Sequence, residues 1–119
     1  NRKVKVKHNP ETIISLSPGI TEILFDLGVG NKIIGRTIFC NFPKEALQIE
    51  AIGGITDANL ERNIALRPQI VITSSMVRKD FVENIEKAGI SIICLPERSN
   101  IEGVYNTINI LGKIFDKEI

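Results

Sequence analysis

Thr12-Ile13-Ile14-Ser15-Leu16-Ser17-Pro18-Gly19-Ile20-Thr21-Glu22-Ile23-Leu24 carries two periodicities with a hinge between them. Residues 12–16 are a short β-branched run of the kind a buried strand uses, and Ser17-Pro18-Gly19 ends it. Ser17 reads as a helix cap with Pro18 in the first turn, where the missing N–H costs nothing. Beyond it Ile20, Ile23, Leu24 and Leu27 fall at i, i+3, i+4 and i+7, one apolar stripe, and Gly28 is placed to stop the helix. The segment is strand, tight turn, helix.

The alternation continues downstream. Lys32 to Arg36 predicts a second strand, running into 37–43, where Pro43 argues against continuation as a central strand. A weak helical turn around Lys44 to Leu47 is followed by irregular chain at Gly53-Gly54 and Thr56-Asp57. Asn59 then caps a short helix from Leu60 to Ala65 with Glu61 in its first turn. Pro68 resets the chain for a third strand, Gln69 to Thr73, closing on Ser74-Ser75. A helix from Lys79 to Lys87 stops at Gly89 and leads into a fourth strand, Ile90 to Leu95. Ser99-Asn100-Ile101-Glu102 fits a capping box, and the helix it opens places Ile101, Val104, Tyr105, Ile108, Leu111, Gly112 and Phe115 on one face. Ile110 and Ile114 fall outside that stripe, as they would if more chain packed on this helix or if it were wedged between sheet and loop. Nearly continuous apolar strands alternating with helices predict an α/β fold, a Rossmann-like three-layer arrangement with a mostly parallel sheet of about four strands.

A chain of 119 residues is one domain, or one lobe of something larger. No internal repeat, low-complexity tract or linker divides it. Fifteen Lys and Arg against fourteen Asp and Glu leave a net charge of +1, which provides no field for nucleic acid or an anionic membrane. No apolar run approaches the ~20 residues that span a bilayer. Cys40 and Cys94 are too few for a disulfide framework or a four-sulfur metal site, and whether they pair is left open, as is the redox compartment. His8, the single histidine, reads as a solvated side chain in a basic N-terminal stretch, so no metal site is expected. The chain begins at Asn1 without methionine or a signal-peptide core, which reads as a processed or trimmed product.

In an open parallel sheet the ligand crevice lies beyond the carboxyl ends of the strands. That rule selects Ser17-Pro18-Gly19, Thr37-Ile38-Phe39, Thr73-Ser74-Ser75-Met76 and Pro96-Glu97-Arg98, a set suited to a bulky ligand held by contact and a few hydrogen bonds. Each residue also has a plainer role: Ser17 as a cap, Phe39 as a satellite core ring, Ser74 and Ser75 as a polar turn, and Glu61 as a solvated partner of the helix dipole. Catalytic motifs are missing. No Gly-x-Ser-x-Gly elbow exists, and no nucleophile has a histidine to serve it. Gly28-Val29-Gly30 lacks the third glycine of a dinucleotide fingerprint and follows a helix instead of a strand, and no Walker lysine follows a glycine-rich loop. No enzymatic activity and no cofactor are expected.

Residues 14–24, with Ile33-Ile34-Gly35, Asn41-Phe42-Pro43, Gly53-Gly54, Asn59-Leu60-Glu61 and Ala65-Leu66-Arg67-Pro68-Gln69-Ile70-Val71, resemble the N-terminal lobe of ABC-transporter substrate-binding proteins for iron-siderophores, haem and cobalamin. The six blocks occur in the family's order and approximate spacing, from Thr12 onward. The resemblance implies that residues 1–119 are one of two α/β lobes joined by a rigid backbone helix, here the helix from Ile101, with the second lobe absent from this chain. It implies a periplasmic or extracellular receptor, with lipid anchoring left open, that captures a metal chelate and delivers it to an ABC permease without entering the membrane itself. Ligand-cleft positions carry over onto Ser17, Phe39, Ile55 and Ser74. Among them only Phe39 is aromatic, which ranks haem and cobalamin behind iron-siderophores. Histidines of the zinc and manganese receptors are missing from this lobe. Glu61 takes the place of the glutamate that docks on permease arginines. The alternative is a nucleotide- or corrinoid-using enzyme domain on a similar core.

Overall fold

A computed structural model describes residues 10–37, 44–52, 60–74, 78–95 and 101–115. Eight regular elements follow in order: β1 (Ile13–Ser15), α1 (Pro18–Asp26), β2 (Ile33–Arg36), α2 (Leu60–Ala65), β3 (Ile70–Ser74), α3 (Lys79–Lys87), β4 (Ser91–Leu95) and α4 (Ile101–Ile114). Short 3-10 turns at Gly30–Lys32 and Lys44–Gln48 complete them. The strands form one sheet in the order β2-β1-β3-β4, and every pairing in it is parallel. The α/β expectation and the four strands therefore stand.

Alternation along the strands builds two cores. Ile13, Ile33, Ile70, Ile72 and Leu95 point to one face, where Ile20, Leu24 and Leu27 of α1 and Leu111 of α4, with Phe115 just beyond it, cover them. Ile14, Leu16, Val71 and Ile92 point to the other, under Phe81, Val82 and Ile85 of α3, with Leu60 and Ile64 of α2 packed alongside. A strand that meets helices on both sides has no face for polar residues, which is why these runs are apolar without a break.

Glycine ends two of the helices as expected. Gly28 has φ 82° and Gly89 φ 83°. In α1, Gly28 N–H donates to the Phe25 carbonyl and Val29 N–H to that of Leu24; in α3, Gly89 donates to Glu86 and Ile90 to Ile85. Both are Schellman closures, each sealed by an apolar pair, Val29 with Leu24 and Ile90 with Ile85, inside one core.

Two expectations need correction. Ser17 stands at the cap of α1 with Pro18 next to it, but its side chain makes no cap hydrogen bond. Its carbonyl serves instead, accepting from Thr21 N–H and from the Thr21 hydroxyl, each at 3.0 Å. Tyr105, placed on the buried stripe of α4, is 62% exposed, whereas Ile114, placed off it, packs on the core. The rest of the stripe among the described side chains holds, with Leu111, Gly112 and Phe115 buried and Ile108 half-buried, and Gly103 is buried and Thr107 half-buried beside them. The Thr107 hydroxyl donates to the Gly103 carbonyl at 3.2 Å. The capping box at 99–102 and the Asn59 cap lie outside the described residues.

Candidate functional site

Because all four strands are parallel, their carboxyl ends share one rim of the sheet. β1 stands at the switch point, with β2 on one side and β3 on the other, so the chain leaves it toward opposite faces on its two flanks. A crevice opens at such a point without any insertion, since the connections diverge there.

Register fixes which residues meet at the rim. Ser15 pairs with Arg36 on one side and Ile72 on the other. Leu16 N–H continues the ladder to the Ile72 carbonyl at 2.9 Å. Ser74 is the last residue of β3, and Ser17 stands two residues after β1 at the start of α1, so both expected ligand positions lie at the carboxyl ends of neighbouring strands. Ser74 in turn pairs with Leu95. Ser17 is buried at 5% exposure, beneath the start of α1. The Ser74 side chain, Phe39 and Ile55 lie outside the described residues, and so does Cys40. Cys94 lies exposed on β4. Glu61 is exposed on α2, and among the described residues nothing pairs with its carboxylate.

Below Ser17 the rim is braced by a small polar cluster in an otherwise apolar layer. Ser15 Oγ and Thr21 Oγ1, both fully buried, are 2.8 Å apart. Both hydroxyls also reach the Ser17 carbonyl as donors, Thr21 at 3.0 Å and Ser15 at 3.4 Å. The turn between strand and helix is thus tied on both sides. On β3, one position before Ser74, Thr73 is fully buried, and among the described residues its hydroxyl has no partner.

Arg36 is the rim residue that sequence reasoning passed over as a strand end. It is 8% exposed, and its guanidinium is spent on main-chain carbonyls: Nε donates to Ile49 at 2.9 Å, Nη1 to Thr37 at 3.1 Å and, at the limit of a hydrogen bond, Nη2 to Leu47 at 3.5 Å. Two of these carbonyls belong to the Lys44–Gln48 turn and its exit, where main-chain acceptors are left over. The Arg36 main chain also accepts from Ile52 N–H at 2.8 Å and donates to the Glu50 carbonyl at 3.0 Å, making a parallel bridge to Ala51. One residue therefore closes the excursion from Thr37 to Ile49. The signal that could have found it is a lone arginine after Gly35 at the end of an apolar strand, where a charge must be fully hydrogen-bonded to be buried.

The bridge at Ala51 brings Glu50 opposite α2. Its carboxylate receives both Nε and Nη2 of Arg62, the second at 2.7 Å, a bidentate pair with both side chains about half exposed. The hydrogen bond from Arg62 holds the Glu50 carboxyl below its ordinary pKa, and the same bond raises that of Arg62, so each stays charged. Among the described residues no group of histidine, cysteine and carboxylate side chains could hold a metal ion.

The geometry agrees with what other proteins show. A sequence profile of the periplasmic binding protein family matches residues 13–118. The ABC transporter substrate-binding lipoprotein YvrC of Bacillus subtilis strain 168 is 32% identical over 116 residues, 95% of this chain and 37% of that protein. A vitamin B12-binding protein of Vibrio parahaemolyticus is 32% identical over 108 residues, 89% of this chain and 38% of that one. In three dimensions a periplasmic heme-binding protein from Pseudomonas aeruginosa superposes with a TM-score of 0.84 at 21% identity, over 91% of this chain and 40% of that chain. The petrobactin-binding protein YclQ of Bacillus subtilis superposes at 0.83 and 21% identity, over 97% and 42%. The chain thus spans well under half the length of these relatives, and at such identity the solved structures attest the fold alone. With a parallel sheet whose strand ends share one rim and a profile match over nearly all of its length, the chain belongs to the periplasmic binding protein family.

Proposed function

We propose that this chain is the N-terminal lobe of an extracytoplasmic receptor that captures a metal chelate and hands it to an ABC permease. The carrying observation is the rim itself: four parallel strands deliver their carboxyl ends to one side, with Ser17 just after β1 and Ser74 at the end of β3 beside the switch point. Ser17, Phe39, Ile55 and Ser74 are the proposed ligand contacts, and Glu61 is the proposed contact with the permease. A lobe of this kind covers one side of a ligand, and a second lobe closes the other. An extracytoplasmic location, periplasmic or extracellular, is supported by the family and by the lipoprotein relative. No helix among the described residues is long and apolar enough to cross a membrane.

Iron-siderophores rank first on the sequence, with only Phe39 aromatic at the cleft positions. The likeness to vitamin B12-binding proteins at 32% identity supports cobalamin as a second reading. Membership of a binding-protein family supports capture over the enzyme alternative. The test is titration of ferric siderophores, haemin and cyanocobalamin into the protein extended through its second lobe. Saturable binding of one of them is expected; no binding by any would overturn the reading, and turnover of a nucleotide or corrinoid substrate would favour the enzyme.

A further inference from the structure

An N-cap serine ordinarily turns its hydroxyl to the second or third N–H of its helix. At the start of α1 the Ser17 carbonyl serves instead, accepting from Thr21 N–H, from the Thr21 hydroxyl and, at 3.4 Å, from the Ser15 hydroxyl. The Ser17 hydroxyl makes no cap bond and has no partner among the described residues, although Ser17 is only 5% exposed. Pro18, the first residue of the helix, has no N–H to offer. Gly19 and Ile20 have theirs, and among the described residues neither finds an acceptor. Ser17 is extended, at φ −146° and ψ 131°, the conformation that brings an N-cap side chain over those N–H groups. Three donors therefore stand together at the mouth of a nine-residue helix.

Space and charge both suit an acceptor brought by a ligand. Gly19 is exposed, and a Cβ built on it would meet nothing within 4 Å, so the approach is open. No acidic residue stands in the first turn of α1 to answer the positive end of its dipole, and Glu22 comes only in the second turn. Across the sheet, Arg36 pairs in register with Ser15, two residues before Ser17. Arg36 is buried, and every bond described for its guanidinium goes to a carbonyl and none to a carboxylate, so its charge is solvated without being cancelled. A buried cation without a counter-ion and an open helix N-terminus add to one positive field at the carboxyl end of β1. Charge-assisted bonds from such donors favour a carboxylate over a neutral amide.

We propose that the N-terminus of α1, through the Ser17 hydroxyl and the Gly19 and Ile20 N–H groups, binds a carboxylate of the captured chelate and so selects chelates that carry one. The inference rests on the reading of this chain as a chelate-capturing lobe, and it narrows the ligand of that reading. Arg36 contributes its field and does not touch the ligand.

The experiment titrates the full-length receptor with four probes. Ferric dicitrate and haemin carry carboxylates; ferrioxamine B and cyanocobalamin carry none. One of the first two is expected to bind at least about tenfold more tightly than either of the others. Ser17→Ala should weaken that probe about tenfold, the loss of one charge-assisted hydrogen bond, and leave thermal melting unchanged because the hydroxyl caps nothing. Ser17→Asp offers its own carboxylate to the Gly19 and Ile20 N–H groups, and should weaken the probe further than Ser17→Ala without lowering the melting temperature. Should Ser17→Asp fail to fold, Ser17→Ala decides. Tightest binding of ferrioxamine B or cyanocobalamin, or a Ser17→Ala receptor that keeps full affinity for the carboxylate-bearing probe, refutes the carboxylate seat and leaves chelate capture standing. If none of the four probes binds, chelate capture fails and the seat with it.

Discussion

Arg67 has φ 50°, the one non-glycine among the described residues in the left-handed region. It occupies, after α2, the position that Gly28 and Gly89 hold after α1 and α3, and its N–H donates to the Ile64 carbonyl in the same manner at 3.1 Å. A side chain there costs about 1 kcal/mol that glycine avoids, and Pro68 next to it has no N–H to complete the closure. Arg67→Gly should therefore raise stability by roughly 0.5–1 kcal/mol in urea denaturation, despite the added freedom of the unfolded chain. Arg36 behaves in the opposite way. Arg36→Met keeps the apolar stem but strips the Leu47 and Ile49 carbonyls of their donor, and should cost about 2–4 kcal/mol in the same measurement. At Glu50 the sign follows from its lowered pKa. A carboxyl held below its unfolded value contributes stability that is fully present above that unfolded value and is lost as pH falls through the folded one. The small melting difference between the unaltered protein and Glu50→Gln should thus be present at neutral pH and vanish in acid; a difference that grew on acidification would contradict the pairing.

At the scale of elements, the strands and two helix stops were legible because each rests on a local rule. A β-branched run bounded by Pro or Gly can hardly be anything else, and Gly28 and Gly89 are where positive φ is cheapest. The facing of α4 was legible in its second half, where Leu111, Gly112 and Phe115 are buried as their spacing predicts, and missed at Tyr105 and Ile114. A hydrophobic count also skips Gly103, which is buried, and Thr107, which is half-buried with its hydroxyl bonded back to its own helix. The same count drew in Tyr105, whose ring lies on the far side. Truncation distinguishes the two facings. Leu111→Ala should cost about 2–5 kcal/mol, as a fully buried leucine does, and Tyr105→Ala should stay within about 0.5 kcal/mol. The Glu50–Arg62 pair was equally invisible, since its partners belong to separate elements and no pattern in either one announces the other. Ile55 was reached through resemblance alone, whereas Phe39 was also picked out by the strand-end rule.

Over the whole molecule, the rim decides what the chain can do by itself. If these residues form one of two lobes, as proposed, the rim at the ends of β1 and β3 offers a ligand one wall and the second lobe supplies the other. Binding to one wall forfeits the apolar contact of the second while retaining the full cost of immobilising the ligand. The isolated 119-residue chain should therefore bind the ligand of the complete receptor at least about a hundredfold more weakly, a loss of roughly 2.7 kcal/mol or more. Calorimetric titration of both forms with the same chelate measures this directly. Equal affinity would mean that the site lies wholly within these residues, and the clamp of two lobes would have to be abandoned in favour of a self-sufficient pocket at the ends of β1 and β3.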